Sequence, residues 1–521
     1  MTCARLPPFF LLVPALLVAV GVIIPLLYLV IRAFEVDAQT LYTIVFRQRH
    51  LELLANTLGL TLGVLIFDLI LALPLAWIFS RTNFASMRSL VLIGALPLAV
   101  PAYVMAYALL GLGGTDGMLA QFTGTPIPRI SGYFGALLAL GLTTFPYLYL
   151  NLLAAMNKLD PSLEEAARSL GHHPAVIFVR VVLPQLKPAF LAGGLLVVLH
   201  VLGDFGTVSL MRYETFSYAV YLQYAAAFDR TYAAWLALWL LVITGTFLFL
   251  ESRMLGNARI LRTAARPSRH YTLLQLRWTA PWVFIFVAAV GLAGIGAPLA
   301  SALYWLYQGP NPLDGLMEAG GALIQSVSAS LPAALLATLL AFPVAYLSTR
   351  YPSPPTRLLE RIAYFGYATP PIAFALAFVF FSLWAVPFLY QTLLLLVIAY
   401  ALHFMAEAIG PIRSVLHQTP VRLEESARTL GRTPWGVLRG VVIPILRPGL
   451  IAAVAFVFMS AMKELPLTFV LSPIGFDTLA TNIWMYTSEA MFAQAAPHVL
   501  IIIVVSAVFV RFILSWKEKV S

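Results

Sequence analysis

Residues 160–190 of this 521-residue chain return, without a gap, as residues 420–450, and 13 of the 31 positions are identical. The first copy runs Leu163-Glu164-Glu165-Ala166-Ala167-Arg168-Ser169-Leu170-Gly171, then Pro174, Val181, Val182, Pro184, Leu186 and Pro188. The second runs Leu423-Glu424-Glu425-Ser426-Ala427-Arg428-Thr429-Leu430-Gly431, then Pro434, Val441, Val442, Pro444, Leu446 and Pro448. A repeat at constant offset constrains the chain to two halves that fold alike. Both copies are polar islands in an otherwise apolar sequence.

That surrounding sequence sets the class. Apolar side chains make up 61% of the chain and charged ones 10%, against roughly a quarter charged in soluble domains. The expectation is an all-α polytopic membrane protein, because runs of about 20 apolar residues span a bilayer as helices and barrel strands would alternate. Twelve such runs can be drawn: near 8–32, 54–80, 89–113, 133–155, 189–211 and 232–251, then near 280–307, 326–349, 361–384, 391–413, 449–470 and 496–515. The first is read as a retained helix and not a signal peptide. Both halves hold six runs, so the repeat is parallel and not inverted.

Charge orients the chain. With both termini in the cytoplasm, inner segments hold 25 Lys and Arg and outer loops five (Arg47, Arg49, Arg129, Arg212 and Arg230). The positive-inside rule then places both repeated blocks in the cytoplasm. The net charge of +10 sits in short loops between apolar runs, so it points to topology and lipid head groups, not nucleic acid. Six Arg and no acid between Arg253 and Arg277 read as a cytoplasmic linker. The one cysteine, Cys3, excludes an internal disulfide. None of the five Lys follows Gly, so the chain has no phosphate-binding G-x-x-x-x-G-K-[ST] loop.

Each repeated block predicts a helix, a turn and a second helix. Ser162 precedes Glu165 at capping-box spacing. Leu163, Ala166, Ala167 and Leu170 supply a small apolar face, and Gly171 ends the helix as a left-handed cap requires. In the second block Pro420 and Arg422 replace the capping pattern. One such elbow could be an amphipathic connector lying on the membrane. Two at constant offset point to docking of a soluble partner.

The pattern resembles the EAA loop of permease subunits from binding-protein-dependent ABC importers: Glu-Ala-Ala, three residues, Gly, nine residues, Ile-x-Leu-Pro. Here stand Glu165-Ala166-Ala167, Gly171 and Val181-x-Leu183-Pro184, then Glu425-Ser426-Ala427, Gly431 and Val441-x-Ile443-Pro444. The departures are conservative and leave the spacing intact. The resemblance implies two parallel six-helix repeats of the type I importer kind. It implies ATPase-coupling residues at Glu164, Glu165, Ala166, Ala167, Arg168, Gly171 and Pro184, and at Glu424, Glu425, Ser426, Ala427, Arg428, Gly431 and Pro444. The implied partners are a cytoplasmic ATPase, expected as a homodimer and binding the ATP and Mg that this chain does not bind itself, and a periplasmic or lipid-tethered binding protein. The expected divisions are 1–53 (first helix and outer loop), 54–255 (first repeat), 256–325 (linker, seventh helix and outer loop) and 326–521 (second repeat), in a bacterial inner membrane.

The run His200-Val201-Leu202-Gly203-Asp204-Phe205-Gly206 and the run Lys463-Glu464-Leu465-Pro466 look like those of fused ferric-iron permeases. Asp204 and Glu464 match under the 260-residue offset and fall near mid-span, where ionisable groups face a pore or a partner. His200 lies one turn before Asp204. A hard trivalent cation prefers oxygen ligands, so His200, Asp204, Lys463 and Glu464 form a candidate translocation path without a tight metal site. Alternatively Asp204 pairs with Lys463 and simply joins the halves. Asp68 and Glu407 read as packing or boundary residues, and Tyr213, Tyr218, Tyr221 and Tyr224 as an interfacial belt. Thiamine is the alternative cargo, favouring an aromatic path through cation–π contact. A proton-coupled secondary transporter is the alternative class; it needs no paired docking loops.

Overall fold

The computed structural model describes residues 8–35, 39, 42–43, 47–227, 229–255 and 273–520. Cys3, Arg5 and the linker arginines Arg259, Arg262, Arg266 and Arg269 lie outside them. The described residues are nearly all helical. Among the described residues nine helices are long and apolar enough to cross a membrane, or up to eleven if each of two bent pairs is one span.

Helix faces show why an apolar chain adopts this fold. On the Arg49–Arg81 helix, Leu62, Ile66 and Ile70 recur every four residues and are exposed, while Leu60, Val64, Asp68, Ala72 and Leu75 on the opposite face are buried. Lipid can cover the first face; the second packs along Gly132–Met156. Asp68 is fully buried there and accepts a 2.8 Å hydrogen bond from Thr144, the packing role its sequence position suggests. The second half repeats the pairing with Pro312–Arg350 against Leu393–Gln418. The first helix of each half leans on the other half: Phe9–Ala33 packs on Pro371–Ala385, and Ala297–Gln308 on Ala102–Leu112. The halves are thus interlocked.

Four of the expected spans are not continuous. The 89–113 run breaks into Arg88–Ile93, a 3-10 turn at Leu96–Ala99 and Ala102–Leu112. The 361–384 run divides between Pro354–Ala368 and Pro371–Ala385, which meet at 105°. Pro101 and the Pro370-Pro371 pair stand at these breaks, where a missing N–H and a restricted preceding residue end a helix. The 189–211 run stops at Gly203 and resumes at Gly206–Leu210; the 449–470 run stops at Met462 and resumes at Pro466–Leu471. Asp204 and Glu464 therefore sit at helix breaks, not inside helices. Freed backbone groups at such breaks need partners because lipid supplies none.

Candidate functional site

Both repeated blocks fold as helix–turn–helix elbows. The helices are Pro161–Ser169 and Val421–Thr429. Gly171 and Gly431 each have φ of +81°. In each elbow the N–H after the glycine reaches back to the helix, His172 to the Ala167 carbonyl and Arg432 to the Ala427 carbonyl, both at 3.2 Å. This is the left-handed cap expected of glycine. Five-residue π-turns follow at Phe178–Val182 and Leu438–Val442, again 260 residues apart. The expected Ser162–Glu165 capping box is not formed. Asp160 caps the first helix instead, accepting from the Ser162 N–H at 3.0 Å. With Pro161 at the first helical position, the cap moves two residues outward.

The adjacent glutamates divide into two environments. Glu164 and Glu424 are buried and pair with Arg81 at 3.1 Å and Arg350 at 2.8 Å, the last residues of the second helix in each repeat. Glu165 and Glu425 are exposed. Leu163, Ala166 and Leu170 share an exposed face with Arg168 nearby, as do Leu423, Ser426 and Leu430 in the second elbow. Leu170 and Leu430 are 77% and 83% exposed. Ala427 is buried against its own half, with Ala167 partly so. Pro184 and Pro444 follow the π-turns, at the start of the helical segments that lead to the broken spans.

The four breaks converge on a cavity of about 210 Å3. His200, Asp204, Lys463 and Glu464 all line it, so the structure brings together the candidate path residues from both halves. Asp204 accepts from the Thr207 N–H at 3.0 Å, the Val208 N–H at 3.2 Å and the Thr207 hydroxyl at 2.9 Å. Glu464 accepts from the Leu467 N–H at 2.7 Å. Each acid thus caps the short helix after its break. The alternative Asp204–Lys463 pair is not formed. Lys463 Nζ donates to the Leu98 carbonyl at 3.1 Å, crossing between the halves, and Tyr103 donates to the Lys463 carbonyl at 3.3 Å.

Two further titratable residues line this cavity: Glu407, which the sequence suggests as a packing or boundary residue, and His403, which sequence reasoning missed. Glu407 lines it and accepts from Ser460 at 2.7 Å, so it is not a boundary residue. His403 lines it as well. Neither lies in the repeated motif; Glu407 in a long apolar run was the available signal. The tyrosines also differ from a simple interfacial belt. Tyr221 joins Phe205, Phe469 and Trp484 in one cluster, with ring centroids 4.7–5.6 Å apart for Phe205–Tyr221, Phe469–Trp484, Tyr221–Phe469 and Phe205–Trp484. Phe205 lines the central cavity, while Tyr218, Tyr221 and Trp484 line a second cavity of about 570 Å3. The four rings, two from each half, stand between the cavities. Trp484 also donates to Ser209 across the halves at 2.8 Å.

Comparison with known proteins agrees with this architecture. The family of binding-protein-dependent transport system inner membrane components matches twice, at residues 65–255 and 333–516. The Fe(3+)-transport system permease protein FbpB 2 of Haemophilus influenzae is 31% identical over 523 aligned residues, covering 99% of this chain and 100% of that protein. The putative ferric transport system permease protein FbpB 1 of the same organism is 22% identical over 424 residues, covering 76% of this chain and 66% of that one. The sulfate transport system permease protein CysT of Salmonella typhimurium is 29% identical over 194 residues, 37% of this chain and 70% of its own. Two matched repeats and an end-to-end relative make the chain a member of the binding-protein-dependent transport system inner membrane components, a multi-pass permease of ABC transporters and not an enzyme.

Proposed function

We propose that this chain is the permease of an ATP-driven importer that moves ferric iron into the cytoplasm. The observation that carries the reading is the end-to-end likeness to a ferric permease, across both repeats and the connection between them. The central cavity supports it chemically. Asp204, Glu407 and Glu464 offer oxygen donors, which a hard trivalent ion prefers. The same carboxylates disfavour the oxyanion named for the sulfate relative, which matches only part of the chain.

In this reading the elbows are coupling helices. Their exposed leucine faces dock a separate ATPase, which binds ATP and Mg, while Glu164–Arg81 and Glu424–Arg350 transmit its closure to the second helix of each repeat. A binding protein delivers the ion outside. Both termini and both elbows face the cytoplasm, in line with the 25-to-5 division of basic residues. Asp204, His200, Glu407 and Glu464 line the path.

The test is iron uptake by vesicles that hold the permease with its ATPase and binding protein. Asp204→Asn with Glu464→Gln keeps a carbonyl oxygen for each helix cap while removing both charges. Uptake should fall at least ten-fold at unchanged protein level and basal ATP hydrolysis. Undiminished uptake would remove the acids from the path. ATP-dependent uptake of thiamine but not iron would replace the cargo.

A further inference from the structure

On the Arg49–Arg81 helix the exposed stripe Leu62, Ile66 and Ile70 continues one turn further to Pro74, also exposed. Pro74 lines a cavity of about 730 Å3 beneath the first elbow, so the lipid-facing stripe runs into that cavity. Leu73, Trp77, Phe178 and Val182 extend its apolar wall, and the volume is that of a small-molecule site. The polar end carries Arg81, Glu164, Glu165 and Arg168. Arg81 and Glu164 neutralise each other at 3.1 Å. Glu165 and Arg168 are exposed and, among the described residues, stand in no ion pair. Three residues apart on the Pro161–Ser169 helix, they are surface neighbours at roughly 5–6 Å between Cβ atoms. They lie on the side of that helix away from Leu163, Ala166 and Leu170.

The second half carries aromatic side chains at this place. Phe342, Tyr346 and Tyr351 follow one another with ring centroids 5.9 and 6.3 Å apart, and Tyr351 accepts from Arg428. Counted from the paired arginines, the first half has Leu73, Trp77 and Thr82 there. The Thr82 hydroxyl is bonded to the Ile78 carbonyl at 2.7 Å. We propose that the cavity binds a phospholipid with a phosphoethanolamine head: acyl chain along Pro74 and Trp77, phosphate on Arg168, primary ammonium on Glu165. A purely anionic head would meet the Glu165 carboxylate, and a choline head has no N–H to give it. The lipid supplies beneath the first elbow the packing that three rings supply in the second half. This site depends neither on the cargo nor on which membrane face the elbows occupy.

The experiment purifies the permease with its ATPase and titrates it with phosphatidylethanolamine, phosphatidylcholine or phosphatidylglycerol of equal chain length, counting retained lipid by native mass spectrometry. One phosphatidylethanolamine per complex should be kept at a concentration roughly ten-fold lower than either other lipid requires. Leu274→Trp, at a half-exposed position of the cavity wall, should abolish that retention. Glu165→Gln should bring phosphatidylethanolamine and phosphatidylcholine to equal affinity. Arg168→Gln should weaken all three, whereas Arg428→Gln in the second elbow should change none. Both charged positions of the first elbow are exposed, so these variants test the site even if the tryptophan variant does not assemble. Equal retention of the three lipids, or a preference for phosphatidylglycerol, overturns the headgroup assignment. Retention untouched by Leu274→Trp and by Arg168→Gln overturns the site itself.

Discussion

The two elbows share a backbone and differ in what lies beneath them. Each begins with the same buried glutamate–arginine pair, but the groups around the pair differ. Arg81 binds Glu164 and the Met156 carbonyl at 3.1 Å each. In the second elbow Arg350 is joined by Tyr346, whose hydroxyl donates to Glu424 at 2.6 Å. Trp77 stands where Tyr346 does, four residues before the arginine, and carries no hydroxyl. Beneath the first elbow is a cavity of about 730 Å3 lined by Trp77, Arg81, Glu164, Arg168 and Leu274. At the corresponding place in the second, Tyr351 accepts a 3.3 Å hydrogen bond from Arg428. The surroundings differ too. Leu274, just past the linker, bridges to the end of the Arg49–Arg81 helix, whereas Phe10 of the first helix packs edge-on to Trp435 in the second elbow. One backbone thus carries two different sets of anchors.

The largest effect should come from the arginines. Arg81→Met leaves Glu164 buried without that donor, at a cost of about 3–5 kcal/mol. Arg350→Met leaves Tyr346 in place, and about half that loss is expected. Thermal unfolding in nanodiscs reads the difference; equal losses would break the comparison. Next come the glycines. Valine at position 171 or 431 must adopt the left-handed conformation, costing roughly 1–2 kcal/mol each. Because φ is the same, the costs should match, and both variants should insert but lose ATPase-coupled transport. Coupling lost in only one variant would show that the elbows serve unequal roles. Tyr346→Phe removes one hydroxyl donor, about 1 kcal/mol. It should also bring the Arg350→Met loss up to that of Arg81→Met. The smallest effect is that of Phe10→Ala, about 0.5–1.5 kcal/mol, read as faster proteolysis at the second elbow with the first unaffected. Equal sensitivity of both elbows would mean that the first helix does not pin the second one.

The elbows were legible because they are local. Glycine at a left-handed position, proline at a first turn and the three- and four-residue spacing of an apolar face act within about ten residues, so composition and spacing carry them. The same holds for the all-helical class, which follows from unsatisfied backbone groups in lipid. The division of Glu164 from Glu165 was not legible, because it depends on Arg81, 83 residues away. Nor was the fate of Asp204. Its ionisable side chain marked it as unusual, but the helix break and the cap on Thr207 and Val208 release and satisfy backbone groups that only packing of the four broken spans accommodates.

By itself the sequence determined a two-half helical membrane protein with its charged elbows on one side, because transfer energies and turn stereochemistry are properties of short segments. The tertiary structure decided that Lys463 bonds the Leu98 carbonyl and not Asp204, that Glu407 joins the cavity, and that aromatic rings from both halves stand between it and a second cavity. Those outcomes turn on which side chains meet across the halves, and sequence separation carries no information about such distances once interlocked helices set them.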